Sequence, residues 1–254
     1  MTTAQTTRTT RVRETRATYR VRLATTPRDL LAAQRLRFDV FNLELGEGLA
    51  ASHAIERDED AYDAYCDHLL VEREDTGEVV GTYRLQTGQL AAAHLGYYSE
   101  QEFAFAPYEP LRCELVELGR ACVHQAHRHV GVLGLLWRGI ATYARERRAR
   151  YLIGCSSLPS QDPGVGAATY AYFADRGFTV EPSLLTTPTP AFACSLETVA
   201  EACPPPPKLL RTYLSIGAKI CGPPAIDREF GTIDFLTLLD LHALTDAAKA
   251  HFGL

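Results

Sequence analysis

The chain has 254 residues, 46% hydrophobic and 22% charged, and a formal net charge of −5 at pH 7. A chain of this length and composition can bury enough apolar surface to form a globular domain. The acidic balance disfavours a nucleic-acid-binding protein, because phosphate contacts need a basic surface. No stretch approaches the roughly 18 to 20 apolar residues of a membrane span, and no apolar signal-peptide segment is evident, so we expect a cytoplasmic protein.

The first elements follow an N-terminal segment of low hydrophobicity. Residues 1–18 are rich in Thr and Arg, so nothing there offsets the entropy of ordering. We therefore expect a disordered tail, followed by a single domain over residues 19–254. Residues 19–24 alternate like a short strand. The run Thr26-Pro27-Arg28-Asp29 matches an N-cap, an N1 proline and an acidic first turn, which predicts a helix over residues 27–41 with Leu31, Phe38 and Phe41 facing inward.

The rest of the chain alternates between strand and helix patterns. Apolar residues recur at helical spacing from Leu133 to Ala144, and Asp162-Pro163 begins a helix that ends near Gly177. The order of elements predicts an α/β fold with a mixed central sheet flanked by helices. The remaining predicted strands cover residues 67–73, 78–87, 111–124, 151–157, 209–220 and 232–241.

Several common catalytic and metal-binding motifs are missing. The sequence has no P-loop, and residues 154–158 lack the second glycine of a nucleophile elbow. His124, His127 and His129 follow a predicted strand, but their spacing matches no zinc pattern, so we interpret them as a polar strand exit and predict no bound metal. The seven cysteines contain no C-x-x-C pair and are interpreted as reduced thiols.

The central strand, loop and helix carry a first resemblance. The loop Arg128-His129-Val130-Gly131-Val132-Leu133 resembles the [QR]-x-x-G-x-[GA] loop of the GNAT acyltransferase superfamily. The resemblance implies that backbone N–H groups of this loop and the helix N-terminus bind the phosphopantetheine of an acyl donor. Arg128 and Gly131 match the motif, whereas Leu133 departs from it. This departure favours an acyl carrier protein over coenzyme A, because the carrier's pantetheine has only one phosphate.

Four further motifs resemble the branch of this superfamily that uses acyl-acyl-carrier-protein. The branch contains ornithine lipid N-acyltransferases, long-chain N-acyl amino acid synthases and, more distantly, acyl-homoserine lactone synthases. The stretch 217–239 is most similar to the ornithine lipid members. Leu45-Gly46 is followed by Glu47, where lactone synthases usually have Trp. The four motifs are Arg37-x-x-x-Phe41, Asp60-x-x-Asp63, Gly81-Thr82-Tyr83-Arg84-Leu85 and Glu117-Leu118-Gly119-Arg120.

Glu117 is the candidate catalytic base. Aminolysis of a thioester needs a neutral amine, which a nearby carboxylate can generate, and Glu117 lies mid-strand where an unpaired charge would be costly. The alternative is a buried ion pair with Arg84 or Arg120 that has only a structural role. Glu117 and Arg120 would face opposite sides of a regular strand. A β-bulge near Gly119 would bring both to one side and would also splay the strand.

The charged residues of the other motifs are candidates for binding a zwitterionic amino acid. Their arginines suit the carboxylate of such a substrate, and their aspartates suit a side-chain ammonium. Each charge is also consistent with a solvated surface side chain. The substrate-binding candidates are Arg37, Phe41, Asp60, Asp63, Arg84 and Arg120.

A basic cluster lies on and just after the central predicted helix, and comprises Arg138, Arg145, Arg147, Arg148 and Arg150. Because acyl carrier proteins are acidic, the cluster predicts a docking site for the carrier, whereas a solvated helix face is the alternative. The donor-binding candidates are Arg128, Gly131, Arg138, Arg145 and Arg148.

The resemblance implies an N-acyltransferase that moves a long 3-hydroxyacyl or similar chain from acyl carrier protein to the α-amine of ornithine or a related amino acid. The product would be a lyso-ornithine-type aminolipid, and its release would bring the protein to the inner face of a membrane. No cofactor is expected beyond the phosphopantetheine arm of the donor. The alternatives are a lactone synthase, which would consume S-adenosylmethionine, and a non-catalytic GNAT module that binds acyl carriers.

Overall fold

A mixed sheet of eight strands forms the centre of the computed structural model, which describes residues 17–201, 204–246 and 248–249. The strands are β1 (Tyr19–Leu23), β2 (Asp67–Arg73), β3 (Val79–Thr87), β4 (Leu115–Val123), β5 (Tyr151–Leu158), β6 (Lys219–Ile220), β7 (Ala225–Asp227) and β8 (Thr232–Asp240). The helices are α1 (Pro27–Phe38), α2 (Ser52–Ile55), α3 (Gly88–Ala93), α4 (Val130–Glu146), α5 (Pro163–Asp175) and α6 (Lys208–Ser215). Most of the predicted tail, residues 1–16, lies outside the described residues.

The strands lie in the order β1-β2-β3-β4-β5-β8-β6, and β7 pairs with β8. Neighbouring strands are antiparallel except β4 and β5, which are parallel. The predicted α/β class with a mixed central sheet flanked by helices is confirmed. No helix within the described residues has the length and apolar character needed to cross a bilayer.

The two faces of the sheet can be followed from adjacent residues of β3, because successive side chains of a strand point to opposite sides. Tyr83 lies in the largest apolar cluster, together with Leu136 and Ile140 of α4. Arg84 lies on the other face and forms an ion pair with Asp63. Helix α4 therefore covers one face of the sheet, and the charged residues described below occupy the other.

Helix α1 begins as predicted. The Thr26 side chain accepts a hydrogen bond from the Asp29 backbone N–H, and the Asp29 carboxylate accepts one from the Thr26 N–H, which forms a capping box. Phe38 and Phe41 are buried, whereas Leu31 is only half-buried. The predicted helix covers α1 and continues into a π-helical segment, Asp39–Glu44, which contains Phe41.

Two predicted strands needed correction. The strand predicted over residues 111–124 begins only at Leu115, because residues 106–114 form 3₁₀ turns around Pro110, which lacks the N–H that a ladder needs. The strand predicted over residues 209–220 was wrong, since α6 occupies most of it. Leu210 and Leu214 lie one helical turn apart and are both buried, and this pairing outweighs the strand propensity of neighbouring residues.

Strands β4 and β5 diverge in the middle of the sheet. Their register contains only the pairs Leu115↔Tyr151 to Glu117↔Ile153, after which β5 continues along β8. On the other side of β4 the register with β3 shifts between Thr82 and Arg84, and Arg120 has a left-handed φ of 49°. The β-bulge predicted near Gly119 is therefore present, and a gap opens between β4 and β5.

Gly154 sets how closely the two strands approach at the point where they part. A Cβ atom at this position would lie 2.1 Å from the Leu118 carbonyl oxygen. We expect Gly154→Ala to lower the free energy of unfolding by about 1–3 kcal/mol or more, because a backbone atom cannot rotate away from the added methyl group. Urea unfolding of the purified protein measures this change.

Gly134→Ala is the matched control, because a Cβ at this helical glycine would have no atom within 4 Å. It should raise the free energy of unfolding by up to about 1 kcal/mol through helix propensity. Equal stability of the two variants would show that β4 and β5 are not held at this close approach.

Candidate active site

A cavity of about 380 Å³ occupies the gap between β4 and β5 and is lined by residues from both faces of the sheet. On the α4 face its wall is apolar and contains Trp137, Leu210, Tyr213 and Leu239. On the opposite face its wall is polar and contains Arg84, Ser99, Glu102, Glu117, Arg120, Asp227 and Asp234. The cavity thus joins an apolar half and a charged half at the point where the sheet divides.

Glu117 lies at this junction and is held by backbone groups. Its Oε2 accepts a hydrogen bond from the Tyr98 N–H at 2.8 Å, and its Oε1 accepts one from the Ser99 N–H at 2.7 Å. These contacts fix the 3₁₀ turn Tyr98–Gln101 against β4. Burial raises the pKa of Glu117 above its usual value, although the hydrogen bonds from Ser99 and Tyr98 oppose this effect. Glu117 and Arg120 line the same cavity, as the bulge predicted.

Arg37 lies behind the cavity wall in a buried ion-pair network. Its Nη1 donates to Asp63 Oδ1 at 3.0 Å, and its Nε lies 3.1 Å from Asp58 Oδ1. The side chains of Arg37, Asp58 and Asp63 are at most 3% exposed. Burial alone would raise the pKa of Asp63, but the Arg37 guanidinium holds it below its usual range.

Arg84 and Arg120 extend this network to the cavity. Arg84 Nη1 lies 2.7 Å from Asp60 Oδ1 and 3.1 Å from Asp63 Oδ1, and Arg120 Nη2 donates to Asp60 Oδ2 at 3.2 Å. Both guanidinium groups stack near the Tyr98 ring. Asp60 and Asp63, which sequence analysis assigned to a substrate ammonium, thus neutralise arginines of the fold. The complete ion-pair network therefore contains three arginines, Arg37, Arg84 and Arg120, and three aspartates, Asp58, Asp60 and Asp63.

Phe41, the remaining substrate-binding candidate, lines the cavity from the π-helical segment. Its ring packs edge-on against Phe230 at a centroid distance of 5.6 Å. Phe230 in turn lies under the Arg120 guanidinium, 4.7 Å from its Cζ atom. Phe41 therefore helps to hold Arg120 in the cavity wall.

The donor-binding candidates lie around both ends of α4. Arg128 donates from Nε to the Val123 carbonyl at 2.8 Å and pairs with Glu44, so it ties the strand exit to the π-helical segment. Gly131 lies in the first turn of α4, next to the N-cap residue His129. Leu133, the departure from the family loop, packs against the apolar core.

The basic cluster at the C-terminal half of α4 divides into two groups. Arg147 pairs with Asp67 at 3.1 Å, and Arg150 pairs with Asp240 at 2.7 Å. The side chains of Arg138, Arg145 and Arg148 are exposed. These three arginines are among the donor-binding candidates of the sequence analysis, and their role in docking a carrier stays a prediction.

Sequence analysis missed an acidic triad in the charged half of the cavity. Glu102, Asp227 and Asp234 each place a carboxylate oxygen within 4.8 Å of the other two, and their exposed fractions are 2%, 7% and 4%. Burial and the neighbouring carboxylates raise the pKa of Glu102, and burial raises the pKa of Asp234. The available signal was the position of Asp227 and Asp234 in apolar segments, where a buried charge is costly. Nothing in the sequence connected them with Glu102.

Comparison with known proteins extends these observations. Residues 36–138 match the family described as the acetyltransferase (GNAT) domain. The L-ornithine N(alpha)-acyltransferase of Agrobacterium fabrum (strain C58) is 32% identical over 254 aligned residues, which cover 93% of this chain and 85% of that protein. A counterpart of the same name from Brucella abortus (strain 2308) is 32% identical, with 92% of this chain and 88% of that protein covered.

A solved structure shows the same fold at low sequence identity. FeeM, an N-acyl amino acid synthase from uncultured soil microbes, superposes with a TM-score of 0.53 at 13% identity, and the match covers 92% of this chain and 99% of that one. At this identity the likeness concerns the fold alone.

Removing one charge from the ion-pair network tests whether it stabilises the fold. Asp63→Asn should lower the free energy of unfolding by about 3–5 kcal/mol, because it removes the carboxylate that Arg37 and Arg84 share and leaves the buried network with one uncompensated positive charge. Asp75→Asn, which removes the partner of Arg73 on an exposed hairpin, is the control and should have little effect. A small effect of Asp63→Asn in urea unfolding would contradict a structural role for the network.

Proposed function

Because this chain belongs to the family of L-ornithine N(alpha)-acyltransferases, we propose that it transfers a long acyl chain from acyl carrier protein to the α-amine of ornithine. The product would be an N-acylated ornithine with a free carboxylate, the lyso form of an aminolipid. The observation that carries the proposal is the position of Glu117 where the apolar and charged halves of one cavity meet. A thioester can enter from one half, and an amino acid can bind in the other.

The reaction needs one proton acceptor and a path for the leaving group. The neutral α-amine attacks the thioester carbonyl, so a C–N bond forms and the C–S bond breaks when the tetrahedral intermediate collapses. Glu117 takes the proton that the amine loses, and the departing pantetheine thiolate takes a proton to become a thiol. A carboxylate that accepts two N–H bonds still has lone pairs for this transfer.

The environment of Glu117 suits a general base. Burial raises its pKa towards the pH of the cell, and a base whose pKa lies near the working pH transfers protons most effectively. The two backbone N–H groups fix the direction of its carboxylate. A positioned base of this kind is worth more than a mobile one, because the reacting groups are already in contact geometry.

The donor side of the proposal rests on shape and charge. Beyond the pair Glu117↔Ile153, the described residues of β4 and β5 form no ladder with each other, so a pantetheine arm can lie between the two strand edges. Trp137, Tyr213 and Leu239 provide apolar surface for the first carbons of the acyl chain. The exposed arginines of α4 and the turn after it would attract an acidic carrier.

Replacement of the base gives the first test of this function. Glu117→Gln should lower turnover by about 10²-fold or more, and it should abolish the acidic limb of the pH–rate profile. Incubation with acyl carrier protein thioester and ornithine, followed by mass spectrometry of the product, measures the rate. A melting curve and a donor-binding assay check that the variant remains folded.

Glu114→Gln is the matched control, because Glu114 is exposed and immediately precedes β4. Its rate should equal that of the unmodified protein. A normal rate in Glu117→Gln would show that Glu117 only fixes the turn Tyr98–Gln101. Consumption of S-adenosylmethionine in place of ornithine would instead indicate a lactone synthase.

Charge reversal on α4 tests the choice of donor. Replacing Arg138, Arg145 and Arg148 by Glu should raise the apparent KM for the acyl carrier protein and flatten its dependence on salt, because exposed charges mainly set the rate of encounter. The same change should affect a minimal acyl-pantetheine donor far less. The unmodified enzyme should prefer acyl carrier protein over the coenzyme A thioester of the same chain.

Arg35→Glu on α1 is the control for a general effect of charge, because its exposed side chain lies on a different helix. It should leave the KM for the carrier unchanged. Equal use of the two full donors, or an equal loss with all donors in the triple variant, would contradict the docking model.

A further inference from the structure

The acidic triad occupies the charged half of the cavity, but the ion-pair network does not neutralise it. Within the described ranges, none of Glu102, Asp227 and Asp234 forms an ion pair with an arginine or lysine. By contrast, each aspartate of the ion-pair network forms an ion pair with at least one arginine of that network. The triad is therefore a second buried cluster of ionisable side chains, and it has no arginine or lysine partner among the described residues.

The hydrogen bonds among the described residues leave one carboxylate oxygen of Asp234, a residue that lines the cavity, without a donor. Asp227 Oδ1 accepts from the backbone N–H groups of Glu229 and Phe230, at 2.9 Å and 2.8 Å. Asp234 Oδ2 accepts from Thr232 Oγ1 at 3.3 Å, whereas Asp234 Oδ1 has no partner among the described residues, although it is buried. A buried carboxylate oxygen without a donor costs free energy unless a ligand supplies one.

The carboxyl groups of the triad disfavour one another's ionisation. Burial and the facing carboxylates of Asp227 and Asp234 raise the pKa of Glu102, and burial raises the pKa of Asp234. The other titratable groups that interact with Glu102 or Asp234 include Glu47, Tyr98, Cys155 and Asp227, and none of these carries a positive charge. Like charges that are buried together disfavour ionisation, and a bound cation would remove that penalty.

We propose that the triad binds the terminal ammonium of the acceptor, so that the enzyme selects amino acids with a second amine on the side chain. This inference rests on the function proposed above. An ammonium group has three N–H donors on a compact centre, which matches three converging carboxylates. The three methylene groups of ornithine then span from the triad towards Glu117.

The wall between the two sites is continuous. Ser99, whose N–H binds Glu117, has its Oγ 3.4 Å from Cys155 Sγ, and Cys155 Sγ lies 3.7 Å from Glu102 Oε2. An amino acid can therefore lie along this wall with its α-amine at Glu117 and its terminal amine at the triad.

This placement also determines which amine reacts. Carboxylates around an ammonium favour its charged form, so the terminal amine stays protonated and cannot attack a thioester. The α-amine lies at the base and loses its proton there. The triad thus provides both selection of the diamino acid and acylation at the α position.

The test compares ornithine with norvaline, which has the same carbon chain without the terminal amine. The unmodified enzyme should favour ornithine by about 10²-fold in kcat/KM, the usual effect of removing one partner of a buried charge pair. Asp234→Asn should reduce this preference to a few-fold, mainly through KM for ornithine, and should allow some acylation at the terminal amine. Tandem mass spectrometry of the product identifies the acylated nitrogen.

Asp240→Asn is the matched control, because Asp240 lies at the other end of β8 and pairs with Arg150 outside the cavity. It should retain both the preference for ornithine and the α position of the product. Equal rates with ornithine and norvaline in the unmodified enzyme would overturn the role of the triad, while the proposed acyltransferase function would stand.

Stability provides a readout that a structural role would not produce. Burial raises the pKa of Asp234 to about 6, so its contribution to stability is present at low pH and is lost as the pH rises through that value. An amide at this position cannot ionise, so the Asp234→Asn variant does not lose stability in this way. Without ligand, the variant should become more stable than the unmodified protein above about pH 6. A variant that is less stable at every pH would indicate a structural triad and would overturn the proposal.

Ligand-dependent melting separates the remaining outcomes. Ornithine, and not norvaline, should raise the melting temperature of the unmodified protein, and this effect should disappear in Asp234→Asn. If no amino acid is acylated but this pattern holds, the proposed function fails and the ammonium site stands. If Mg²⁺ or Ca²⁺ alone binds the triad and the ornithine preference does not depend on Asp234, the triad is a metal site and the proposal is wrong.

Discussion

The architecture of the site depends on the buried balance of charge between three arginines and three aspartates. Arg37 comes from α1, Arg84 from β3 and Arg120 from β4, and the segment 58–63 supplies all three carboxylates. Since an unpaired buried charge is costly, these ion pairs stabilise the observed docking of the helix, the strands and the segment. In that arrangement the Arg120 guanidinium lies over Tyr98, and the Arg120 backbone has a left-handed φ at the β4 bulge, beside the gap between β4 and β5.

The two charged clusters have different roles: the ion-pair network stabilises the fold, and the acidic triad is the proposed binding site for the substrate. The first is neutral within itself and therefore needs no ligand, so it can hold Glu117 and the turn that binds it in a fixed position. The second, Glu102 with Asp227 and Asp234, brings three buried carboxylates together and is the proposed site for the substrate ammonium. The folded protein bears the free-energy cost of burying these carboxylates before the substrate binds. A fold that is stable enough to keep a destabilising site is typical of enzymes.

The sequence was sufficient for the features that local chemistry determines. The N-cap, the N1 proline and the acidic first turn of α1 were predicted, and the bulge was expected because it would bring Glu117 and Arg120 to one side. Helix α6 was mistaken for a strand because its short run of Leu, Thr and Tyr also suits a sheet. Charge signs alone could not tell which aspartates the protein neutralises and which it leaves for a ligand. That distinction depends on contacts between residues far apart in the chain.

The single parallel contact between β4 and β5 gives the sheet a line of low stiffness. Strands β1 to β4 form one continuous antiparallel ladder, and β5, β8, β6 and β7 form another, while three register pairs join the two. Each ladder keeps its own hydrogen bonds if the two rotate slightly apart about that joint. Deformation is therefore concentrated where the thioester would lie, so that the width of the opening can adapt to the thickness of an acyl chain at little elastic cost to either half.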